Sequence, residues 1–218
     1  MTDVMPAALA SSAAGWHGKL PTVGDFATRR LDSDFVHIWD NWLSTGLARL
    51  RTEGDGQWLD AYLASPTWRF VLTPGFLPEP LRAQTWAGVV MPSVDRVGRY
   101  YPLTLACTLP QIPLSSHAQA ALWSWLHRLE DLAVDALQED WSIDTLEAEL
   151  ARMGLPAPSM SSGLGLAGPS PADNFFSACL APLGEGGRCV WYSEADLAAP
   201  QLLSSNALDD SILRLWRS

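Results

Sequence analysis

Two short stretches of the chain hold residues whose types and spacing suit chemistry or recognition. The first contains Lys19, Asp25, Arg29 and Arg30; the second contains Ser93, Asp95, Arg96 and Arg99. Each sets a carboxylate among guanidinium groups, and such pairs can be bidentate and orienting. Two readings stand open. Asp25 and Asp95 cap turns and pair with nearby Arg to fix loop geometry, or the loops around 25–30 and 93–99 line a pocket for an anionic ligand, as a sensor or an enzyme would. A nucleotide or a phosphopeptide would suit such a pocket. Catalysis would call for a perturbed carboxylate pair or a base beside a nucleophile, and the sequence demonstrates neither.

Other motifs fail on context. Gly163-Leu-Gly-Leu-Ala-Gly168 spells G-x-G-x-x-G, but Ser159-Met-Ser-Ser162 precedes it and Pro169-Ser-Pro171 follows it. A dinucleotide fingerprint needs a strand before the turn and a helix after it. The chain has no G-x-x-x-x-G-K-[ST] and no G-x-S-x-G. His17, His37, His117 and His127 show no metal-ligand spacing, and His37 and His127 are expected on the solvent faces of helices. Cys107, Cys179 and Cys189 are odd in number and widely spaced, with no C-x-x-C. No catalytic residue, metal site or cofactor is expected.

The elements that must position the two loops read clearly. Trp86 to Met91 and Tyr101 to Leu105 are nearly all apolar on either side of the second cluster. Such runs read as strands buried on both faces, since a half-exposed strand would alternate. Strands are predicted at Thr85–Met91 and Leu103–Leu109, antiparallel because only Pro92 to Pro102 joins them. A strand over Trp16 to Leu20 precedes the first cluster. A helix over about 33–51 follows it, with Phe35, Ile38, Trp39, Trp42, Leu43, Leu47 and Leu50 on one face. Further helices are predicted at about 57–64, 116–138 and 143–153, and at the C-terminus around Leu208 to Trp216. Trp68–Leu72 and Arg188–Tyr192 read as strands.

Composition bounds the rest. The 218 residues carry a formal net charge of -10, which disfavours approach to a nucleic-acid backbone. Hydrophobic residues make up 48% of the chain and include 11 Trp, most of them expected in the core. Residues 1–14 hold no Lys or Arg and read as a flexible tail, not a signal peptide. No apolar run is long enough to insert into a bilayer, so a cytoplasmic location is expected. Residues 154–171, rich in Gly, Ser and Pro, are expected as a flexible loop. The architecture expected is a single-domain α/β sandwich over 15–218, with a mixed, partly antiparallel central sheet covered by helices on both faces.

Three ordered blocks carry a family resemblance. Gly15-Trp-His-Gly-Lys-Leu-Pro-Thr-Val-Gly-Asp-Phe26, with Arg30, Phe35, Trp39-Asp40 and Trp42-Leu43, resembles the opening of the TagF (ImpM) family. Ser65-Pro66 with Trp68-Arg69-Phe70 resembles its next block, and Trp86 to Leu105 its third. The resemblance implies an α/β sandwich and a non-enzymatic cytoplasmic accessory protein of type VI secretion. Such a protein would restrain assembly after translation through an FHA-domain scaffold protein. Lys19, Asp25, Arg30, Ser93, Asp95, Arg96 and Arg99 are then the candidate partner- or ligand-binding residues, provided that the two loops converge at one end of the sheet.

Overall fold

The computed structural model describes residues 12–53, 56–156, 170–181, 186–194, 200–208 and 211–216. In chain order the elements are β1 (Gly15–Gly18), β2 (Ala27–Arg29), α1 (Ser33–Glu53), α2 (Trp58–Ala64), β3 (Trp68–Leu72), β4 (Thr85–Met91), β5 (Leu103–Leu109), α3 (Ser116–Gln138), α4 (Ile143–Met153), α5 (Pro171–Leu180), β6 (Cys189–Ser193), β7 (Gln201–Ser205) and α6 (Ser211–Trp216). The strands form one sheet in the order β2-β1-β5-β4-β3-β6-β7.

The α/β sandwich expected from the sequence is the fold. The expected mixed sheet is instead antiparallel in every described ladder. The helices explain this: α1 and α2 lie in the connection from β2 to β3, α3 to α5 in that from β5 to β6, and α6 follows β7, so no helix-bearing connection joins neighbouring strands. No helical crossover therefore places two adjacent strands in parallel.

The apolar runs are buried on both faces, as their patterning requires. In β4, Ala87, Val89 and Met91 face one core, with Leu122, Trp125, Leu129 and Ala133 of α3, Leu146 and Leu150 of α4, and Phe175 and Phe176 of α5. Trp86 and Val90 face the other core, with Phe35, Trp39, Trp42 and Leu47 of α1, Tyr62 of α2, and Leu215 and Trp216 of α6. Aromatic rings fill this second core: Phe35 stacks on Trp86 with ring centroids 4.0 Å apart, and Trp39 tilts against Phe70 at 5.0 Å. Trp39 also donates from Nε1 to Thr104 Oγ1 at 2.9 Å, so its one polar atom is satisfied inside the core.

Local signals set the helix starts. Asp32 caps α1, its Oδ1 accepting from the Asp34 N–H at 2.8 Å. Ser115 and Ser142 cap α3 and α4 in the same way. Of the segment expected as a tail, Ala13 and Ala14 are buried in the first core, and residues 1–11 lie outside the described residues. Most of the expected loop at 154–171, the G-x-G-x-x-G string included, also lies outside them. Its end does not stay a loop, because Ser170 and Asp173 form a capping box that opens α5 with Pro171 in its first turn.

Candidate functional site

The register of the sheet brings the two charged loops together. β1 pairs antiparallel with β5, Gly15 opposite Ala106 and His17 opposite Thr104. Continuing that register sets Lys19, just past β1, against the 92–102 loop that leads into β5. Gly18 makes the close approach possible. Its φ is +137°, and a Cβ there would lie 2.1 Å from the Pro102 carbonyl oxygen.

Asp95 is the hub of the junction. Its carboxylate is fully buried, beside a Lys19 side chain that is 5% exposed. Oδ1 accepts from the Val97 N–H at 3.0 Å and the Arg99 N–H at 2.9 Å. Oδ2 accepts from Arg99 Nε at 2.7 Å and faces Lys19 Nζ at 3.1 Å. Burial by itself would raise the carboxyl's pKa. The Arg99 N–H, the Lys19 ammonium, the Arg99 guanidinium and the Val97 N–H together outweigh burial and hold it well below the usual carboxylate range.

Other bonds pin the same loops. Ser93 donates from Oγ to the Lys19 carbonyl at 2.8 Å, while the Arg96 N–H donates to the Val23 carbonyl at 3.1 Å. The Arg99 guanidinium donates from Nη2 to the Gly24 carbonyl. Beneath them the buried Tyr62 hydroxyl accepts from the Ser93 N–H at 2.8 Å and donates to the Ser93 carbonyl at 3.0 Å. Burial pushes that phenol well above its ordinary range.

Lys19, Ser93, Asp95, Arg96 and Arg99 are thus assembled in one place. Asp25 sits at the exposed edge, its Oδ1 accepting from the Phe26 N–H at 2.8 Å. Arg30 belongs elsewhere. Its guanidinium donates from Nη2 to the Ala14 carbonyl at 2.8 Å and pairs with Glu147 of α4, to which Trp16 also donates at 2.6 Å. It locks the first sheet edge to α4 and does not reach the Asp95 junction.

Outward of the hub the loops present Phe26, 48% exposed, and Val97, 64% exposed. Arg96 and the greater part of Arg99 flank them in solvent. Sequence reasoning missed both apolar residues, since nothing in their spacing separates an exposed Phe or Val from a core one. It also missed a second buried cluster. Arg69 of β3 pairs with Glu130 at 2.5 Å and Glu194 at 3.1 Å, and its guanidinium lies over Trp123 at 5.2 Å. His127, expected in solvent, is half-buried against it at 3.0 Å. The signal was present in Trp-Arg-Phe-Val-Leu, a lone charge inside a buried strand, which must find partners.

Among the described residues, no group of three or more His, Cys, Asp or Glu is placed to hold a metal ion. No described helix is long and apolar enough to cross a membrane.

These features define an α/β sandwich that offers a hydrogen-bonded two-loop face at one end of an antiparallel sheet. The chain belongs to the TagF family: residues 15–153 match the TagF N-terminal domain, which is associated with the type VI secretion system. The matched span contains both loops, the hub and the Arg69 strand. The structure is similar to the crystal structure of PA0076 from Pseudomonas aeruginosa PAO1, with 32% sequence identity, a TM-score of 0.70 and 94% of each chain covered. No curated protein matches the chain.

Proposed function

We propose that this chain is a non-enzymatic cytoplasmic accessory protein that restrains assembly of the type VI secretion apparatus after translation. It does so by binding a component, an FHA-domain scaffold protein, through the face built by the 19–26 and 92–102 loops. One observation carries this reading: the Asp95 carboxylate spends its bonds inside the protein. Both of its oxygens are taken by Lys19, Arg99 and two backbone N–H groups. A carboxylate so committed is a brace for loop geometry, not a free acid, base or anion-pocket wall. What the brace holds outward is Phe26, Val97, Arg96 and Arg99, a mix of apolar and guanidinium groups that suits a hot spot. Two arginines on a chain of net charge -10 also make this face locally distinctive, which favours selective encounter.

Capture from lysate of the native host tests this, using wild type beside an Arg96→Glu, Val97→Asp double variant. Both substitutions point into solvent and leave the hub intact. Wild type is expected to recover an FHA-domain secretion component and the folded variant to lose it. Equal recovery by both would overturn the placement of the contact. Recovery of no secretion component by wild type would overturn the binding role itself.

A further inference from the structure

The 92–102 loop holds one exposed cation in a fixed position. Arg99 is pinned at four of its own groups. Its N–H donates to Asp95 Oδ1 at 2.9 Å, and its carbonyl accepts from the Asp95 N–H at 3.1 Å and from Lys19 Nζ at 3.4 Å. In the side chain, Nε donates to Asp95 Oδ2 at 2.7 Å and Nη2 donates to the Gly24 carbonyl. That side chain is nevertheless 55% exposed.

Nε and Nη2 form the inner edge of the guanidinium, and their inward hydrogens are spent. The outer edge, Nη1 with the second hydrogen of Nη2, bonds to nothing among the described residues. Among those residues Asp95 is the one ion-pair partner of Arg99. Asp25, the exposed carboxylate of the facing loop, turns Oδ1 back to the Phe26 N–H. A loose surface arginine loses much rotamer freedom when a partner fixes it. Arg99 is already fixed, so its outer edge is a preset pair of parallel donors. A carboxylate is the planar acceptor that fits such a fork.

The apolar groups of the same face are held too. The exposed Phe26 rests edge-on against Tyr101 with ring centroids 4.7 Å apart, and Lys19 Nζ lies 4.9 Å from its ring centre. The exposed Val97 is fixed by its N–H bond to Asp95. Arg96 adds a second guanidinium in solvent, its backbone N–H tied to Val23 at 3.1 Å. Charge sets the sign of the ligand. Asp95, the one carboxylate within 92–102, is fully buried and offset by Lys19, so this loop shows solvent only positive charge. On a chain of net charge -10 that is a local reversal of sign.

We infer that the outer edge of the Arg99 guanidinium receives a carboxylate of the protein partner, from an Asp or Glu whose apolar neighbour lies on Val97 and Phe26. The inference rests on the binding role proposed above and names the chemistry of its central contact. Asp95 then serves as a positioning residue, since it aims the guanidinium that touches the partner.

The test needs no partner. The full chain is titrated at low ionic strength with the tripeptide N-acetyl-Leu-Asp-Leu-amide. NMR follows the Arg99 Nε–H and the Arg96 and Val97 amide resonances. Saturable shifts with a Kd of about 1–10 mM are expected, as for one charge-assisted contact with apolar flanks. The Leu-Asn-Leu peptide, which keeps the shape and loses the charge, should bind at least about fivefold more weakly, and Leu-Lys-Leu should give no shift. Arg99→Lys keeps the charge and removes the fork, and should weaken the Asp peptide by a similar factor. The comparison of peptides on wild type stands even if that variant folds poorly. No saturable shift with the Asp peptide, equal binding of the Asn peptide, tighter binding of the Lys peptide, or an undiminished affinity in folded Arg99→Lys would overturn the inference. Any of these would leave the lysate capture free to succeed through other contacts, and a failed capture would leave this titration unaffected.

Discussion

Asp95→Asn changes one oxygen for an amide group and tests the brace directly. In the native junction the buried carboxylate faces two cations, Lys19 Nζ at 3.1 Å and Arg99 Nε at 2.7 Å. Asn can keep a carbonyl toward the Val97 and Arg99 N–H groups. Its NH2 then points donors at donors, and the Lys19 ammonium, 5% exposed, stays buried without a counter-charge. Breaking a buried pair in this way costs about 3–5 kcal/mol. Against a typical total stability of about 5–15 kcal/mol, the loss is large but survivable. The assay is urea unfolding at pH 7, where the midpoint should fall with little change in slope. Adding Lys19→Met should restore part of the loss, because the stranded charge is gone, so the cycle should be strongly non-additive. The acid limb supplies a second reading. The folded carboxyl is held below the ordinary aspartate value of 3.8, so its contribution is present above that value and is lost as pH falls through the lower folded one. The Asn variant should lose correspondingly less stability on acidification. A loss under about 1 kcal/mol at pH 7, or additive single and double variants, would show that Asp95 does not brace the junction.

Three further outcomes follow from the geometry. Arg69→Met should cost about 3–5 kcal/mol by stranding Glu130 and Glu194, whereas Glu130→Gln should stay within about 1 kcal/mol of wild type at pH 7. Burial raises the Glu130 pKa above its ordinary 4.5 despite Arg69, so the stability of wild type relative to the Gln variant should fall as pH rises through that range; the difference between their urea midpoints at pH 4 and pH 7 checks the sign. Gly18→Ala should cost at least about 2 kcal/mol in thermal or urea unfolding, since it combines a positive φ with a clash against the Pro102 carbonyl. Burial pushes the thiols of Cys107 and Cys179 up to about 12 and that of Cys189 well above its ordinary value. None should react with a disulfide reagent at pH 8 until the protein is unfolded, as a thiol-release assay would show.

The parts legible in the sequence were those governed by local patterning. Trp68–Leu72, Thr85–Met91 and Leu103–Leu109 are mostly apolar runs, and each is a strand with those bounds. Ser116–Gln138 and Ile143–Met153 carry one apolar stripe each and an N-cap serine, and both are helices as bounded. The site was half legible. Charge concentrated between two buried strands marked the 92–102 loop, but its partner depends on the β1–β5 register, which no local signal encodes. For the same reason Arg30 looked like a neighbour of Asp25 in function, while its actual partner, Glu147, lies on α4. β2 is only three residues long and β7 alternates weakly at the sheet edge, so neither stood out from loop. The capping box of Ser170 and Asp173 was readable, but Gly/Ser/Pro composition on its N-terminal side hid it.

On the proposed reading, a braced, outward-facing pair of loops binds the secretion scaffold. Calorimetric titration of the purified chain against the purified FHA-domain component of its own apparatus tests it most directly. Saturable binding is expected, weakened at least about tenfold, or about 1.4 kcal/mol, in the folded Arg96→Glu, Val97→Asp variant. Wild type that gives no heat and no complex at high concentration, or a variant that binds as tightly as wild type, would contradict it.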